Sequence, residues 1–328
     1  MRDDTYMTGS RLPGYRAVII TLDSHAAGPA MRALEKLGSD YPGLSVSIHA
    51  AAEWGETPGT FEAARDAVAE ADIIVVNLLF LEEHVSRILP ALEARRDHCD
   101  AMICVIADAA IVKLTKMGTL DMMAPASGTM RLMKKLRGSS KPSSSSGADK
   151  MALLRRLPKI LKFIPGKSQD LRAWFLCMQY WLGGSDDNVE AMLRFLLDRY
   201  ATNTGWTVTK EAPAPIDYPD TGLYHPDLPN RITTDVANLP VVTDTTFTIG
   251  LLMMRSYVLS SDTAHYDAVI RGFEARGVRV LPTFAGGLDG RPAIDAYFRG
   301  PDGIKIDAMV SLTGFSLVGG PGYNDNAS

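Results

Sequence analysis

Four short apolar runs, each followed by a helical pattern, occupy the first 117 residues of the chain. The runs are YRAVIITLD, LSVSIHA, DIIVVNLLF and AMICVIA, at residues 15–23, 44–50, 72–80 and 101–107. Their near-continuous apolar and β-branched composition is typical of strands that are buried on both faces of a sheet. Four β-α repeats with short connections imply a parallel sheet with right-handed crossovers and helices on both faces. The pattern predicts an α/β fold with a Rossmann-like or flavodoxin-like parallel sheet, and it leaves the strand order open.

Two strongly apolar helices joined by two consecutive glycines are predicted within residues 150–201. In the first helix, Trp174, Met178 and Trp181 recur at helical spacing on a wide apolar face. Ser185 follows the glycines and is a suitable N-cap for the second helix. Such a pair must pack on itself or on a sheet. We therefore assign its aromatic side chains to a buried core rather than to a cofactor site.

Polar residues follow three of the predicted strands. Asp23 ends the first strand and His25 follows it, Asn77 lies near the end of the third, and Asp108 follows the fourth. Ligands of parallel sheets bind beyond the carboxyl ends of the strands, so these residues are candidates for a polar pocket. The alternative, which we favour, is that the two aspartates cap the following helices, with His25 an exposed neighbour of the first cap. No GxGxxG pattern follows the first strand, and a dinucleotide site is therefore not expected.

The Ser/Gly/Pro-rich sequence at residues 139–150 predicts a flexible loop, which we place at residues 126–150 inside a basic region. Residues 131–167 carry eleven basic and one acidic side chain, a net charge of +10. Three interpretations remain open: a solvated loop with a basic amphipathic helix, which we favour, a docking surface for an acidic protein or a carboxylated substrate, and a nucleic-acid site. The last is the weakest because no aromatic residues interleave the loop. The candidate contacts of the docking interpretation are Arg155, Arg156, Lys159 and Lys162.

The sequence Gly166-Lys167-Ser168 resembles the end of a phosphate-binding P-loop. That motif requires a glycine five residues before the second glycine, where this chain has Leu161. No strand precedes the segment either. A Walker-type ATP site is not expected in this chain.

A proline-rich connector is predicted at residues 204–240, and with it a domain boundary. We expect it to be extended and to lie over the surface. His225, in the sequence YHP, is either a ligand or, as we favour, a buried turn residue.

A second α/β domain is predicted over residues 241–328, with Asp262 capping its first helix. Its strands are expected at residues 246–254, 278–285 and 308–316. A glycine-rich stretch follows the third strand with no helix after it. We therefore expect this domain to be truncated, as in a fragment.

Composition excludes several classes of protein. The net charge of −4 gives no general attraction to nucleic acid or acidic membranes. The N-terminal residues lack the apolar stretch of a signal peptide, and no apolar run is long enough to span a bilayer. The three cysteines show no metal-knuckle spacing. These features predict a cytoplasmic protein with reduced thiols.

Five segments of the chain closely resemble the large, porphyrin-binding H subunits of magnesium chelatases, within the magnesium/cobalt chelatase large-subunit family. The resemblance extends from about Tyr15 to the end of the chain. The segments are LRRLPKILKFIPG with the helices after it (residues 154–201), MGTLDM (117–122), MRLMKKLRG (130–138), YPDTGLYHP (218–226) and LTGFSLVGGP (312–321).

The resemblance implies part of a ligase that inserts Mg2+ into protoporphyrin IX in chlorophyll and bacteriochlorophyll biosynthesis. It implies that two AAA+ partners, the I and D subunits, hydrolyse ATP, and that Mg2+ and protoporphyrin IX are substrates rather than resident cofactors. Because the family's metal-inserting residues are attributed to its C-terminal part, no catalytic or metal-binding residue is assigned here. The chain is expected to be an inactive N-terminal region. Alternatives are a cobalt chelatase large subunit of cobalamin biosynthesis and a non-catalytic α/β ligand-binding or scaffold module.

The sequence thus predicts a division of the chain into six parts. These are a disordered tail (1–14), an α/β domain (15–125), a basic loop (126–150), a helical segment packed on that domain (151–203), a connector (204–240) and an incomplete α/β domain (241–328).

Overall fold

The structure is a computed structural model. It describes residues 14–22, 24–124, 168–207, 210–242, 245–286, 289–301, 303–314 and Leu317. The chain divides into two compact units, Met1–Ile216 and Asp217–Ser328. The expected N-terminal tail up to residue 13 and the basic segment at residues 125–167 lie outside the described residues.

The first unit contains a six-stranded sheet. Its strands are β1 (Tyr15–Thr21), β2 (Leu44–Ala50), β3 (Ile73–Asn77), β4 (Ala101–Val105), β5 (Lys116–Met117) and β6 (Leu120–Asp121). The strand order is β2-β1-β3-β4-β5-β6, and the first four strands are parallel to one another. The predicted parallel α/β sheet is therefore confirmed.

Helices cover both faces of this sheet, because each strand alternates its side chains between two apolar clusters. The helices are α1 (Ala27–Leu37), α2 (Thr60–Glu70), α3 (Glu82–Arg95), α4 (Ala109–Lys113), α5 (Ser168–Gly183) and α6 (Asp186–Tyr200). Helices α1, α5 and α6 share a cluster with Ile19 and Val75, on one face of the sheet. Helices α2 and α3 share the other cluster, with Ile20 and Val76.

The aromatic helices α5 and α6 form part of the core, as predicted. The side chains of Trp174 and Trp181 are both buried. The indole nitrogen of Trp174 donates a hydrogen bond to the carbonyl oxygen of Cys104 in β4, at 2.9 Å. The predicted cap at Ser185 is also confirmed, because its hydroxyl accepts from the backbone N–H of Asn188.

The helix predicted from Ala109 to Met117 is wrong in its second half. Helix α4 ends at Lys113, and β5 and β6 form an antiparallel hairpin instead. The hydroxyl of Thr115 hydrogen-bonds the backbone of Cys104 in β4 and thereby attaches this segment to the sheet. The hairpin turns at Gly118, whose φ of +54° is a left-handed value that glycine adopts without strain.

The second unit contains a five-stranded mixed sheet. Its strands are β7 (Thr221–Tyr224), β8 (Ile232–Thr233), β9 (Thr248–Met254), β10 (Arg279–Ala285) and β13 (Ala308–Ser311), with a separate small hairpin of β11 (Arg299–Gly300) and β12 (Gly303–Ile304). The order is β13-β9-β10-β7-β8, in which β9, β10 and β13 are parallel and β7 and β8 are antiparallel to their neighbours. The three predicted strands are present.

Two expectations about the second unit differ from the structure. Part of the predicted surface connector is a buried strand, because Leu223 and Tyr224 of β7 pack into two apolar clusters on the sheet. The helices are α7 (Arg255–Leu259), α8 (Ala264–Glu274) and α9 (Arg291–Ala293), the last continuing as a π-helical turn to Phe298. Asp262 does not cap α8, since the helix begins after Thr263 with no side-chain cap.

His225 is buried in a turn after β7, as predicted. Its Nδ1 accepts a hydrogen bond from the backbone N–H of Asp227 at 3.1 Å, so its Nε2 carries the proton and donates to Glu274 at 2.9 Å. Both ring nitrogens are therefore used in structural contacts.

Candidate functional site

The carboxyl edge of the first sheet has the geometry of a ligand-binding edge. Strand β1 pairs with β2 on one side and with β3 on the other, so the chain reverses its direction of travel across the sheet between β1 and β3. In open parallel sheets the crevice at such a switch point is where ligands bind. The residues at this edge are Thr21, the β1–α1 turn, Asn77 and the loop from Leu78 to Leu81.

Asn77 lies at the centre of this edge and is fully buried. The hydroxyl of Thr21 donates a hydrogen bond to the Asn77 Oδ1 atom at 2.8 Å, and both residues are 0% exposed. The Asn77 Nδ2 atom has no hydrogen-bond partner. Turning the amide over would satisfy Nδ2 and leave Oδ1 unpaired instead, so one polar atom stays unpaired in either orientation.

Two bulky residues beside Asn77 have left-handed backbone conformations. Leu78 has φ +54° and Ile106 has φ +49°, and the Leu78 N–H donates to the Ile106 carbonyl oxygen at 2.8 Å. Such values cost about 1–3 kcal/mol for residues with a β-carbon, and backbone strain of this kind is concentrated at functional sites. The strain lies at the carboxyl ends of β3 and β4.

A second group of side chains lies at the same edge, on the face that carries α2 and α3. The indole ring of Trp54 has edge contacts with Phe61 and His84, with ring centroids 5.4 and 5.8 Å apart. The Arg87 guanidinium lies 4.2 Å from the centre of the Phe61 ring and donates to the Trp54 carbonyl oxygen. Neither Trp54 Nε1 nor His84 Nδ1 has a hydrogen-bond partner. Sequence reasoning missed this group, because its members belong to three separate elements.

Within the described residues, all three buried side-chain polar atoms without a partner are at this carboxyl edge: Trp54 Nε1, Asn77 Nδ2 and His84 Nδ1. Buried polar groups are paired in more than nine cases out of ten, so such exceptions call for an explanation. Phe80 and Leu81 lie between Asn77 and His84 in the chain and are 54% and 55% exposed. The edge thus combines hydrogen-bonding atoms with an exposed apolar pair, which we call the Phe80–Leu81 lip.

The structure places the predicted site residues in different surroundings. Asp108 caps α4 by accepting from the Ala110 N–H at 2.7 Å, which agrees with the favoured interpretation. His25 is half-buried in the turn before α1 rather than exposed. The remaining candidates, Asp23, Arg155, Arg156, Lys159 and Lys162, lie outside the described residues.

No cluster of three metal-ligating side chains occurs in the part of the chain that the structure describes. None of the helices described is long and apolar enough to cross a membrane.

Two family models match the chain. One, described as "Domain of unknown function (DUF3479)", matches residues 16–175, and one described as "CobN/Magnesium Chelatase" matches residues 178–328. A solved structure, the catalytic subunit of cobaltochelatase from Mycobacterium tuberculosis, aligns with 91% of this chain and 18% of its own, with a TM-score of 0.42 and 16% identity.

Curated relatives are more similar in sequence. The chain is 63% identical over 314 residues to the magnesium-chelatase H subunit of Cereibacter sphaeroides, which is 96% of this chain and 26% of the relative. It is 62% identical to the corresponding H subunit of Rhodobacter capsulatus, over 95% of this chain and 26% of the relative. It is 32% identical to the chloroplastic ChlH subunit of Oryza sativa subsp. indica, over 96% of this chain and 24% of the relative. The chain thus spans about a quarter of the length of these relatives.

Proposed function

This chain belongs to the CobN/magnesium chelatase large-subunit family, and from that membership we propose that it is the N-terminal region of the H subunit of a magnesium chelatase. The observation that carries the proposal is the 63% identity over 314 residues with the H subunit of Cereibacter sphaeroides. The matched stretch includes both units of the chain.

The proposed reaction is the insertion of Mg2+ into protoporphyrin IX, on the route to bacteriochlorophyll. It is demanding because Mg2+ gives up its hydration water reluctantly, and because the porphyrin must lose two N–H protons as the metal enters. ATP hydrolysis on two AAA+ partners, the I and D subunits, would supply the driving force. We further propose that this region alone does not catalyse the reaction. Its three described cysteines are free thiols, which supports a cytoplasmic location.

The carboxyl edge of the first sheet is the part of this chain that we propose to contact the porphyrin. The macrocycle is flat and apolar, and the Phe80–Leu81 lip offers apolar surface that is exposed in the free protein. The porphyrin's propionates are hydrogen-bond acceptors. The Trp54 indole N–H can only donate and has no partner of its own, but it is buried, so it could reach a propionate only if this edge rearranged on binding.

The alternative activity is cobalt insertion in cobalamin biosynthesis. The relatives at 63%, 62% and 32% identity are all magnesium-chelatase subunits, and this favours magnesium. A chelation assay on the complete large subunit with its AAA+ partners and ATP tests the choice. Faster insertion of Mg2+ than of Co2+ is expected, and the reverse order would contradict the magnesium assignment.

A scaffold role without porphyrin contact is the second alternative. Titration of this chain with protoporphyrin IX, with tryptophan fluorescence as the readout, distinguishes a scaffold role from porphyrin contact. Saturable quenching is expected for a porphyrin-contacting region. Binding to an AAA+ partner without any porphyrin response would identify a scaffold instead.

A further inference from the structure

The Phe80–Leu81 lip is surrounded by exposed glutamates. Residues 51–62 and 80–87, which contain the connection from β2 to α2 and the beginning of α3, carry five glutamates and one arginine, a net charge of −4. All five glutamate side chains are exposed, and none forms an ion pair or a side-chain hydrogen bond in the part of the chain that the structure describes. We call these residues the acidic rim: Glu53, Glu56, Glu62, Glu82 and Glu83.

Short contacts hold the parts of the acidic rim together. The Thr60 hydroxyl donates to the Glu53 carbonyl oxygen at 3.0 Å, and this bond attaches the turn after β2 to the start of α2. The Trp54 ring contacts both Phe61 of α2 and His84 of α3. The rim glutamates lie next to these residues in the chain, so they surround one continuous surface with the lip beside it.

The arginine within this surface does not neutralise the rim. The Arg87 guanidinium lies 4.2 Å from the centre of the Phe61 ring and donates to the Trp54 carbonyl oxygen at 3.2 Å. At the other end of α2 the charges are paired, since Glu70 binds Arg16. Like charges without counter-ions repel one another, and a cationic partner relieves that repulsion.

The negative charge alone has a simple explanation. Glu62, Glu82 and Glu83 lie in the first turns of their helices, where carboxylates are stabilised by the helix dipole. The helix dipole does not explain why the apolar lip is more than half exposed. It also does not explain why the Trp54 N–H, buried within the rim, has no acceptor. Both observations point to a binding partner.

We propose that the lip and the acidic rim together dock a basic amphipathic helix of a partner protein. The apolar side of the helix covers the lip, and its lysine and arginine side chains pair with the rim. One helix can make both kinds of contact, because the long stems of these side chains pack on apolar surface while their charged ends reach a carboxylate. Charge complementarity also speeds association and excludes acidic partners.

The lip is also the surface that we propose to contact the porphyrin, so the docked helix controls porphyrin access. This second half of the inference rests on the proposed function. Helix and macrocycle cover the same two apolar side chains and therefore compete for them. Release of the partner exposes the lip, and binding of the partner closes it.

Fluorescence anisotropy with the full chain tests the docking surface. The probe is a labelled amphipathic peptide of leucine and lysine at helical spacing, and the comparison peptide has glutamate at every lysine position. The lysine peptide should bind, and its affinity should fall as the salt concentration rises. The glutamate peptide should not bind.

Two double variants separate the contributions of charge and apolar surface. Glu53→Gln with Glu56→Gln removes two rim charges without touching the first turn of α2 or α3. Phe80→Ser with Leu81→Ser removes the lip. Each should raise the Kd of the lysine peptide about tenfold. Hydrogen exchange should show slower exchange in residues 51–62 and 78–87 when the peptide is bound to wild type.

The matched control is Glu35→Gln with Glu93→Gln, which changes the net charge equally. Both glutamates are exposed and lie outside the rim, and Glu93 is about 15 Å along α3 from Glu83. The Kd of this control should equal that of wild type. Equal weakening in the control would overturn the proposal, as would binding that both other double variants leave unchanged.

Competition tests the control of porphyrin access separately. Protoporphyrin IX should displace the lysine peptide from wild type. If both bound at once, the shared lip would be excluded. If the porphyrin did not bind at all, the proposed function would fail, and the peptide titrations would still decide whether the docking surface exists.

Discussion

The carboxylate of Asp170 in helix α5 accepts hydrogen bonds from both the backbone N–H and the hydroxyl of Thr119, each at 2.8 Å. Its other oxygen accepts from Arg199 and from the Tyr200 hydroxyl, each at 2.9 Å. One buried charge therefore joins the β5–β6 hairpin to both aromatic helices. The hairpin contains the MGTLDM segment, and the helices are the longest segment that resembles the chelatase family.

Asp170→Asn should destabilise the first unit by roughly 3 kcal/mol, because the neutral amide cannot accept all of the hydrogen bonds from Thr119, Arg199 and Tyr200 and leaves Arg199 without its counter-charge. Urea unfolding followed by tryptophan fluorescence measures the loss. The matched control is Asp186→Asn, which breaks a more exposed pair with Arg32 and should cost about 1 kcal/mol or less. Equal losses in the two variants would contradict the special role of Asp170.

The stability of the first unit should depend on the ionisation of Asp170. Burial acts to raise the pKa of this carboxyl, but the hydrogen bonds from Thr119, Arg199 and Tyr200 outweigh it and hold the pKa below the ordinary value of 3.8. The resulting stabilisation is present above the unfolded-state pKa and is lost as the pH falls through the folded-state pKa. Wild type should therefore lose more stability than Asp170→Asn between about pH 5 and pH 2, as measured by urea midpoints. If the urea midpoints of wild type and Asp170→Asn fell equally with pH, the ionisation of Asp170 would not contribute to the pH dependence of stability.

Gly118→Ala should destabilise the hairpin by roughly 3 kcal/mol, from backbone strain and a clash together. The residue has φ +54°, and a β-carbon there would lie 2.7 Å from Asp170 Oδ2. Gly59→Ala separates the two causes, since Gly59 has φ +87° with nothing within 4 Å of its β-carbon, and it should cost only about 1 kcal/mol. Thermal unfolding of both variants checks the difference.

Replacing the Phe80–Leu81 lip should weaken porphyrin binding. The double variant Phe80→Ser and Leu81→Ser removes apolar surface from the proposed contact, and a Kd roughly tenfold higher is expected. Val241→Ser is the control, because Val241 is 87% exposed but lies in the second unit. Fluorescence titration with protoporphyrin IX measures the Kd of wild type, of the double variant and of the control. An unchanged Kd in the double variant would exclude this edge as a porphyrin contact.

The three cysteines should react with alkylating agents in a fixed order. Burial raises the pKa of the Cys99 thiol to about 11 and that of the Cys104 and Cys177 thiols to about 12. With a pKa about two units above normal, Cys99 should react on the order of 100-fold more slowly than a free cysteine near pH 8. Cys104 and Cys177 should react only after unfolding. Mass spectrometry of iodoacetamide-treated protein checks the order, and early labelling of Cys104 would contradict it.

Local patterns predicted the regular elements well. The four parallel strands of the first unit start within one residue of their predicted positions, and the caps at Asp108 and Ser185 are present. These predictions were correct because burial of a strand on both faces and capping of a helix depend on a few consecutive residues. The β5–β6 hairpin was missed because its strands are two residues each, too short to show a period.

The carboxyl edge was predicted only in part. Asn77 was named, but its partner Thr21 and the Trp54–His84 contact were not, since those pairs join residues from different strands and helices. The left-handed backbone of Leu78 and Ile106 could not be predicted from the sequence either, because neither residue type favours that conformation.

By itself the sequence determined the α/β class, the positions of the main strands, the burial of the aromatic helices and the family to which the chain is similar. These follow from hydrophobic patterns and from long similar segments, which are continuous along the chain. Only the tertiary structure decided the strand order, the attachment of Thr119 by Asp170 and the hydrogen bond between Thr21 and Asn77. Each of these joins residues far apart in the sequence, and local preferences carry no information about which distant partner a buried polar group will find.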